Sequence, residues 1–246
     1  KPLVKIAGIS IIERQIILLK KYQVKKIHVV SGHLGEQIRD YLGEGTKFGL
    51  KINHIIETVP MGTGGALSAL KGILKNDFIL FSGDVVLDID LKSLLRYHKN
   101  KKGVGTIIVH PSDHPFDSDL VEVDSNYRIK SLILRKDRVQ PGSLVFRNLT
   151  CTSTYILSPK IFNFIKKEEI CDLEKTIFPR ILKAKKLLYA YRSSEYIKDV
   201  GTLERLNVVE KDIQSGKVSR LNKGNKRPAI FLDRDGVINQ EVNYVS

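Results

Sequence analysis

The chain is 246 residues long, 42% hydrophobic and 28% charged, which is enough to bury a core without a metal or disulfide staple. No window approaches ~18 uninterrupted apolar residues, so an ordinary membrane-spanning helix is excluded, and two cysteines, Cys151 and Cys171, make neither a disulfide framework nor a zinc site. Lys and Arg number 41 against 27 Asp and Glu, a formal net charge of +14; the lysines are scattered and no basic–aromatic cluster forms, which suits solvated helix faces or anionic small molecules and argues against a nucleic-acid partner.

The apolar pattern changes period repeatedly along the chain. Ile12, Ile16 and Leu19 fall at helical spacing within 11–22, and 26–31 (KIHVVS) is a β-branched run stopped by Gly32. A helix is predicted over 36–42 and a strand over 51–57, after which a glycine-rich turn opens a helix over 65–74. Residues 78–82 (FILFS) read as a buried strand followed at once by Gly83-Asp84. A helix over 91–99 and a strand over 105–110 complete the alternation. The pattern predicts an α/β fold, a Rossmann-like, mostly parallel sheet with helices on both faces. Beyond His110, 120–123, 129–134 and 150–157 read as antiparallel strands that make the sheet mixed. Helices are predicted over 159–166, 173–183 and 203–215, with a strand over 188–192. Residues 214–227 (QSGKVSRLNKGNKR) are polar and basic and read as a linker. A new strand over 229–233 then starts a second domain, giving expected boundaries of 1–213, 214–227 and 228–246.

Ligands of open α/β sheets bind beyond the carboxyl ends of the strands, which singles out three places. The first is Glu57 with Gly62-Thr63-Gly64-Gly65-Ala66, where glycines allow close backbone approach and a helix N-terminus offers N–H groups, or where the chain merely makes a tight βα turn. The second is Ser82-Gly83-Asp84, whose carboxylate can hold Mg²⁺ or cap a turn. The third is Asp199-Val200-Gly201-Thr202, with the same two readings. Two such aspartates on one sheet edge could jointly hold a metal that bridges phosphates.

Lys1-Pro2-Leu3, Glu57 with Gly62-Thr63-Gly64-Gly65-Ala66, Gly83-Asp84, Leu173-Glu174-Lys175 and Asp199-Val200-Gly201-Thr202 stand in the order and spacing of the sugar-1-phosphate nucleotidylyltransferases, which the first 215 or so residues resemble. The resemblance implies a GT-A-like nucleotidyltransferase fold, here without its first strand and glycine-rich phosphate loop. It also implies transfer of a nucleotidyl group from an NTP to a sugar 1-phosphate with release of pyrophosphate. Asp84 and Asp199 would hold Mg²⁺, and Lys1 would contact phosphates. Glu57, Gly62, Thr63 and Gly83 would line the nucleotide site. Lys136 and Glu174 would face the sugar phosphate, although Arg135 stands where relatives carry glutamate. Glu57 takes a position where relatives specific for uracil or thymine carry glutamine. A carboxylate only accepts hydrogen bonds, and guanine presents N1–H and N2–H along one edge, so GTP is the expected nucleotide. The segment from His110 to Asp124 resembles that of D-glycero-D-manno-heptose 1-phosphate guanylyltransferases, with mannose 1-phosphate or another hexose 1-phosphate as the alternative acceptor. Cys151-Thr152-Ser153 replaces the family's Asn-Ala-Gly, a departure that also leaves open a catalytically silent nucleotide-sugar-binding subunit.

At the other end, Ile230-Phe231-Leu232-Asp233-Arg234-Asp235-Gly236 puts two aspartates at i and i+2 after an apolar run. One could attack a phosphorus while the other protonates the leaving group. The stretch resembles the first motif of haloacid-dehalogenase-type phosphatases of the heptose-bisphosphate and histidinol-phosphate branch. That resemblance implies Asp233 as phosphoryl acceptor and Asp235 as general acid/base, both touching Mg²⁺. Met61 is the only methionine, and the chain is expected to be the middle of a longer bifunctional enzyme of nucleotide-activated heptose synthesis, cytoplasmic and possibly homo-oligomeric.

Overall fold

The computed structural model describes residues 1–112, 115, 118–134, 147–228, 230–233, 237 and 238. The chain enters through a tight hairpin of β1 (Lys5–Ile6) and β2 (Ile9–Ser10) and continues into α1 (Ile11–Lys21). Ser10 caps this helix by accepting from the Glu13 amide at 3.3 Å, and Ile11, Ile12, Ile16 and Leu18 bury its apolar stripe. β3 (Lys26–Ser31) and β4 (Lys51–Ile56) pair in parallel, joined through α2 (Gly35–Leu42), since parallel strands need a crossover connection.

The main sheet has six strands. β5 (Phe78–Phe81), β7 (Gly105–His110), β8 (Leu120–Val123), β9 (Ile129–Ile133), β10 (Thr150–Leu157) and β11 (Leu188–Arg192) run in the order β11-β7-β10-β8-β9, and β5 pairs with the C-terminal half of β10. β10 is antiparallel to both β5 and β7, while β11 is parallel to β7. The sheet is therefore mixed, with one strand reversed between two that run alike. The helical turn over Leu173–Ile177 and α5 (Phe178–Lys183) cover one face through Leu173, Ile177, Phe178 and Ile181, all buried. α4 (Leu91–Lys101), capped by Asp90, packs Leu91 and Leu94 against Ile108 and Ile156 on the other.

Two strands run against the chain-order reading. β6 (Val85–Asp88) and β12 (Tyr196–Asp199) form an antiparallel ribbon, with Asp199 opposite Val85. Each is four residues long and, among the described residues, pairs only with the other, and neither shows the long apolar run that marks a sheet strand. The helix expected over 65–74 is instead a single α-turn, α3 (Gly62–Gly65), followed by a 3₁₀ stretch over Ala66–Leu70. α6 (Leu203–Gln214) follows Thr202, whose hydroxyl accepts from Arg205 N at 3.3 Å.

The stretch read as a linker is docked. α7 (Lys217–Leu221) turns Val218 and Leu221 onto the cluster of Ile6, Ile11 and Val209. Asn222, fully buried, donates to Asp88 Oδ1 at 2.5 Å, and Lys223 N donates to Glu195 Oε1 at 2.9 Å. Polar composition hid a segment held by two apolar side chains and by hydrogen bonds from its buried end. The strand expected over 229–233 is not formed at 230–233, where Ile230, Phe231 and Leu232 are 83%, 95% and 63% exposed. An apolar strand is stabilised by paired edges and covered faces, and no described residue pairs with this one. Lys136 and Asp235 lie outside the described residues, as do 113, 114, 116 and 117 of the segment from His110 to Asp124.

Between β3 and β5 lies a cavity of 560 Å³, walled by Ile27, Val29, Ile79, Phe81 and, from α1, Ile16 and Leu19. Among the described residues β3 pairs only with β4, and β5 only with β10, so two strand edges face this hollow. Its polar end opens at the carboxyl ends of the strands.

Candidate active site

The site is assembled around the turn that links β5 to β6. Gln15, on the buried side of α1, donates from Nε2 to the carbonyls of Ser82 at 2.8 Å and Val85 at 2.7 Å. One amide thus clamps both ends of Ser82-Gly83-Asp84. Ser82 Oγ donates to Asp84 Oδ1 at 2.8 Å, and Lys1 Nζ stands 3.8 Å from Asp84 Oδ2. Pro2 packs so closely on Gly83 that a Cβ there would lie 3.1 Å from its Cγ, and Ile12 N donates to Pro2 O at 3.0 Å. The opening Lys1-Pro2 turn is thereby fixed over the aspartate.

Asp199 reaches the same place from the far end of the sequence. Val200 N donates to the carbonyl of Asp84 at 2.8 Å, so the two aspartates sit one residue apart across the ends of β6 and β12. Asp199 Oδ2 accepts from Arg205 Nη1 on α6. Each carboxylate faces a basic side chain, Lys1 for Asp84 and Arg205 for Asp199. Among the described residues no group of three or more His, Cys, Asp or Glu side chains gathers as a cage for a metal.

The glycine turn serves a different purpose from the one its sequence suggests. Gly64 N and Gly65 N donate to the carbonyl of Cys171 at 2.8 and 3.1 Å, and Cys171 N donates to Met61 O at 2.9 Å. These amides hold a neighbouring segment, so they are not open to a ligand. A Cβ at Gly62 would fall 2.6 Å from Cys171 O, and one at Gly65 would fall 2.4 Å from Glu169 O; Gly62 is also left-handed, at φ +74°. Glycine is required for backbone to touch backbone. Thr63 Oγ1 donates to Asp172 Oδ1 at 3.2 Å and accepts from Leu173 N at 3.0 Å, which locks the start of the Leu173–Ile177 turn.

That turn delivers Glu174. Its carboxyl accepts from the hydroxyl of Tyr155 on β10, and burial lifts its pKa above the ordinary carboxylate range, partly offset by the Tyr155 hydrogen bond. Burial likewise holds the Tyr155 hydroxyl well above its usual range, with the Glu174 charge adding to it. The Tyr155 ring is fixed edge-on to Phe178 at 5.3 Å between centroids. Pro2, Thr63, Ser82, Gly83, Tyr155 and Glu174 all line the polar end of the cavity.

Glu57 follows β4, and its amide donates to Ser31 O at 2.7 Å. Its Oε1 is buried and, among the described residues, has no hydrogen-bond partner. A buried carboxylate oxygen without a donor is costly, so Glu57 is an acceptor in want of one. The structure therefore sets Lys1 against Asp84, brings the backbone of Asp199 alongside that of Asp84, and puts Thr63, Gly83 and Glu174 on the wall of the adjoining cavity. Asp233 lies in the exposed 230–233 stretch and does not line it. Gln15 was missed from sequence; its only signal is a polar residue at a position where Ile12 and Ile16 define the apolar stripe.

The family model described as nucleotidyl transferase matches residues 1–216. The mannose-1-phosphate guanyltransferase of Kluyveromyces lactis is 31% identical over 97% of this chain, and the mannose-1-phosphate guanylyltransferase catalytic subunit beta of Dictyostelium discoideum is 29% identical over 97%. The chain spans 64% of the length of each of these two relatives. Among solved structures, HddC from Yersinia pseudotuberculosis superposes with a TM-score of 0.71 at 21% identity, over 86% of this chain and 89% of that one. At that identity the likeness establishes the fold, a mixed Rossmann-like sheet with flanking helices.

Proposed function

The chain belongs to the nucleotidyl transferase family, and from that premise we propose that it transfers a guanylyl group from GTP to a sugar 1-phosphate, releasing pyrophosphate. The observation that carries this reading is that β6 and β12 bring the backbone of Asp199 alongside Asp84, with Lys1 Nζ 3.8 Å from the Asp84 carboxylate, next to Ser82 and Gly83 on the wall of the cavity. The sugar phosphate would attack the α-phosphorus in line, and the protein would contribute position and charge with no covalent intermediate. Lys1 offsets phosphate charge, Glu174 and the Tyr155 hydroxyl orient the sugar, and Gln15 keeps Asp84 in place.

Asp84 and Asp199 would hold Mg²⁺. The donor set fits that ion: hard carboxylate oxygens, no soft ligand, and too few protein donors for a full cage, which leaves room for water and phosphate oxygens. Bound there, the ion would bridge and neutralise phosphates. Guanine is favoured by the orphaned Oε1 of Glu57, which an N–H of the base would satisfy. The names of the relatives, mannose-1-phosphate guanylyltransferases, support the same nucleotide. They also support mannose 1-phosphate as acceptor, while the segment from His110 to Asp124 supports D-glycero-D-manno-heptose 1-phosphate; both sugars share the manno configuration. The phosphatase start, a second domain from about residue 228 with Asp233 and Asp235 as its acids, rests on the sequence motif alone.

Pyrophosphate release from GTP is the test, run with each sugar phosphate, with and without a chelator. The expected result is release that stops on chelation and falls at least a hundredfold in Asp84→Asn. Release that survives both changes would refute the metal-assisted transferase reading. Phosphate release from a heptose 1,7-bisphosphate, lost in Asp233→Asn, tests the second activity.

A further inference from the structure

A second cavity lies at the other end of the strands. β10 ends where β5 begins, with Leu157 paired to Phe78, so Asp77 and Ser158 meet at the amino end of β5 while Ser82 and Asp84 follow its carboxyl end. The four residues of β5 set these two ends roughly 13 Å apart. α4 brings His98 and Lys99 to the amino end as well, and with Lys75 and Lys160 they line a cavity of 770 Å³, a volume that accommodates a small-molecule ligand. Its floor is polar and ordered. His98 is 2% exposed, its Nδ1 lies 2.8 Å from Thr106 Oγ1, and its Nε2 lies 3.4 Å from Asp77 Oδ2. Ser158 is 8% exposed, and its Oγ accepts from Lys160 N at 3.4 Å, which leaves the hydroxyl proton for a ligand.

The rim is cationic. Lys75, Lys99 and Lys160 stand on three separate segments, are exposed, and form no ion pair among the described residues. The one carboxylate on the wall, Asp77, faces His98. Three ammonium groups around one hollow repel each other, and a concave wall focuses their field on whatever enters. An anion whose charge is spread over several oxygens relieves that repulsion and can meet all three lysines at once. Among the described residues no aromatic side chain lines the cavity, so there is no platform on which a base or sugar ring would stack, and charge is left to do the recognising.

We propose that this cavity is a second binding site, for the polyphosphate chain of a small molecule, held by Lys75, Lys99 and Lys160 with Ser158 donating from the floor. It shares no residue with the Asp84 site and needs no Mg²⁺, so it stands or falls apart from the transferase reading. The test is calorimetric titration with inorganic tripolyphosphate in the presence of a chelator. Affinity is expected to fall at least about tenfold in the triple variant Lys75→Gln, Lys99→Gln, Lys160→Gln. A control triple, Lys51→Gln, Lys130→Gln, Lys211→Gln, removes the same charge from exposed positions that line neither cavity, and it is expected to bind within about twofold of the parent. Equal weakening in both triples would overturn the proposal, since the net charge of +14 alone would then attract the anion. A cavity triple that binds like the parent, or a parent that binds no tripolyphosphate at millimolar concentration, would overturn it as well. ATP in place of tripolyphosphate separates a nucleotide from a free chain: affinities within about threefold are expected, and a preference for ATP of about tenfold or more would refute recognition by phosphate alone.

Discussion

Gln15 shows how much one side chain can organise. Its two hydrogen bonds tie a helix to both ends of the turn that carries Asp84. Replacement by leucine would leave two buried carbonyls without donors, at a cost of about 2–4 kcal/mol. Urea denaturation should show that loss, and kcat should fall with KM for GTP little changed, since Asp84 loses its position and not its chemistry. Asp84 could be singled out in the sequence, because an acidic residue after the apolar run 78–82 is a recognisable signal; Asp199 was singled out only by its Asp-Val-Gly-Thr motif before a helix. Gln15 was not, since its value depends on α1 lying against a turn nearly 70 positions away, which no local pattern encodes. A second residue-scale effect concerns acid. Arg180 donates twice to Glu169, at 2.5 and 2.6 Å, and this pairing lowers the Glu169 carboxyl from 4.5 to about 2. A depressed carboxylate stabilises the fold fully above its unfolded value and loses that contribution as pH falls through the folded one. Stability should therefore decline between about pH 4.5 and 2, and Glu169→Gln should flatten that limb in a series of denaturation curves.

At the scale of elements, the glycine turn acts as a seat for another segment. α3 and the 169–173 stretch approach until only hydrogens fit between them. Gly65→Ala would drive a methyl to 2.4 Å from Glu169 O and push away the segment that presents Glu174. The expected outcome is a loss of about 2–3 kcal/mol in thermal or chemical unfolding, with a raised KM for the sugar phosphate. Strands β3, β4, β5 and β7 could be read from the sequence because each is a run of apolar or β-branched residues bounded by turn residues. β6 and β12 could not. Tyr196–Asp199 has only two buried residues before two charged ones, and finds its partner more than a hundred positions earlier. The ribbon they form is nevertheless what brings the backbone of Asp199 beside Asp84, so the least legible elements position the two proposed metal ligands. The same holds for α7, whose anchor is a buried asparagine in a segment of linker-like composition.

For the molecule as a whole, two features work against each other. Among the described residues β3 and β5 each leave an edge unpaired beside an apolar hollow, and Ile230, Phe231 and Leu232 are exposed, while a net charge of +14 opposes contact between copies. Light scattering should accordingly rise as salt is raised from about 20 to 500 mM, where the screening length shrinks to a few ångströms. Scattering that is flat or falls with salt would mean the edges are not available to neighbours. Those bordering strands carry amides and carbonyls that a passing chain can copy, so dispersal of the chain described here is expected to depend on mutual repulsion. Its shelf life in solution should then be governed by the buffer more than by the melting point.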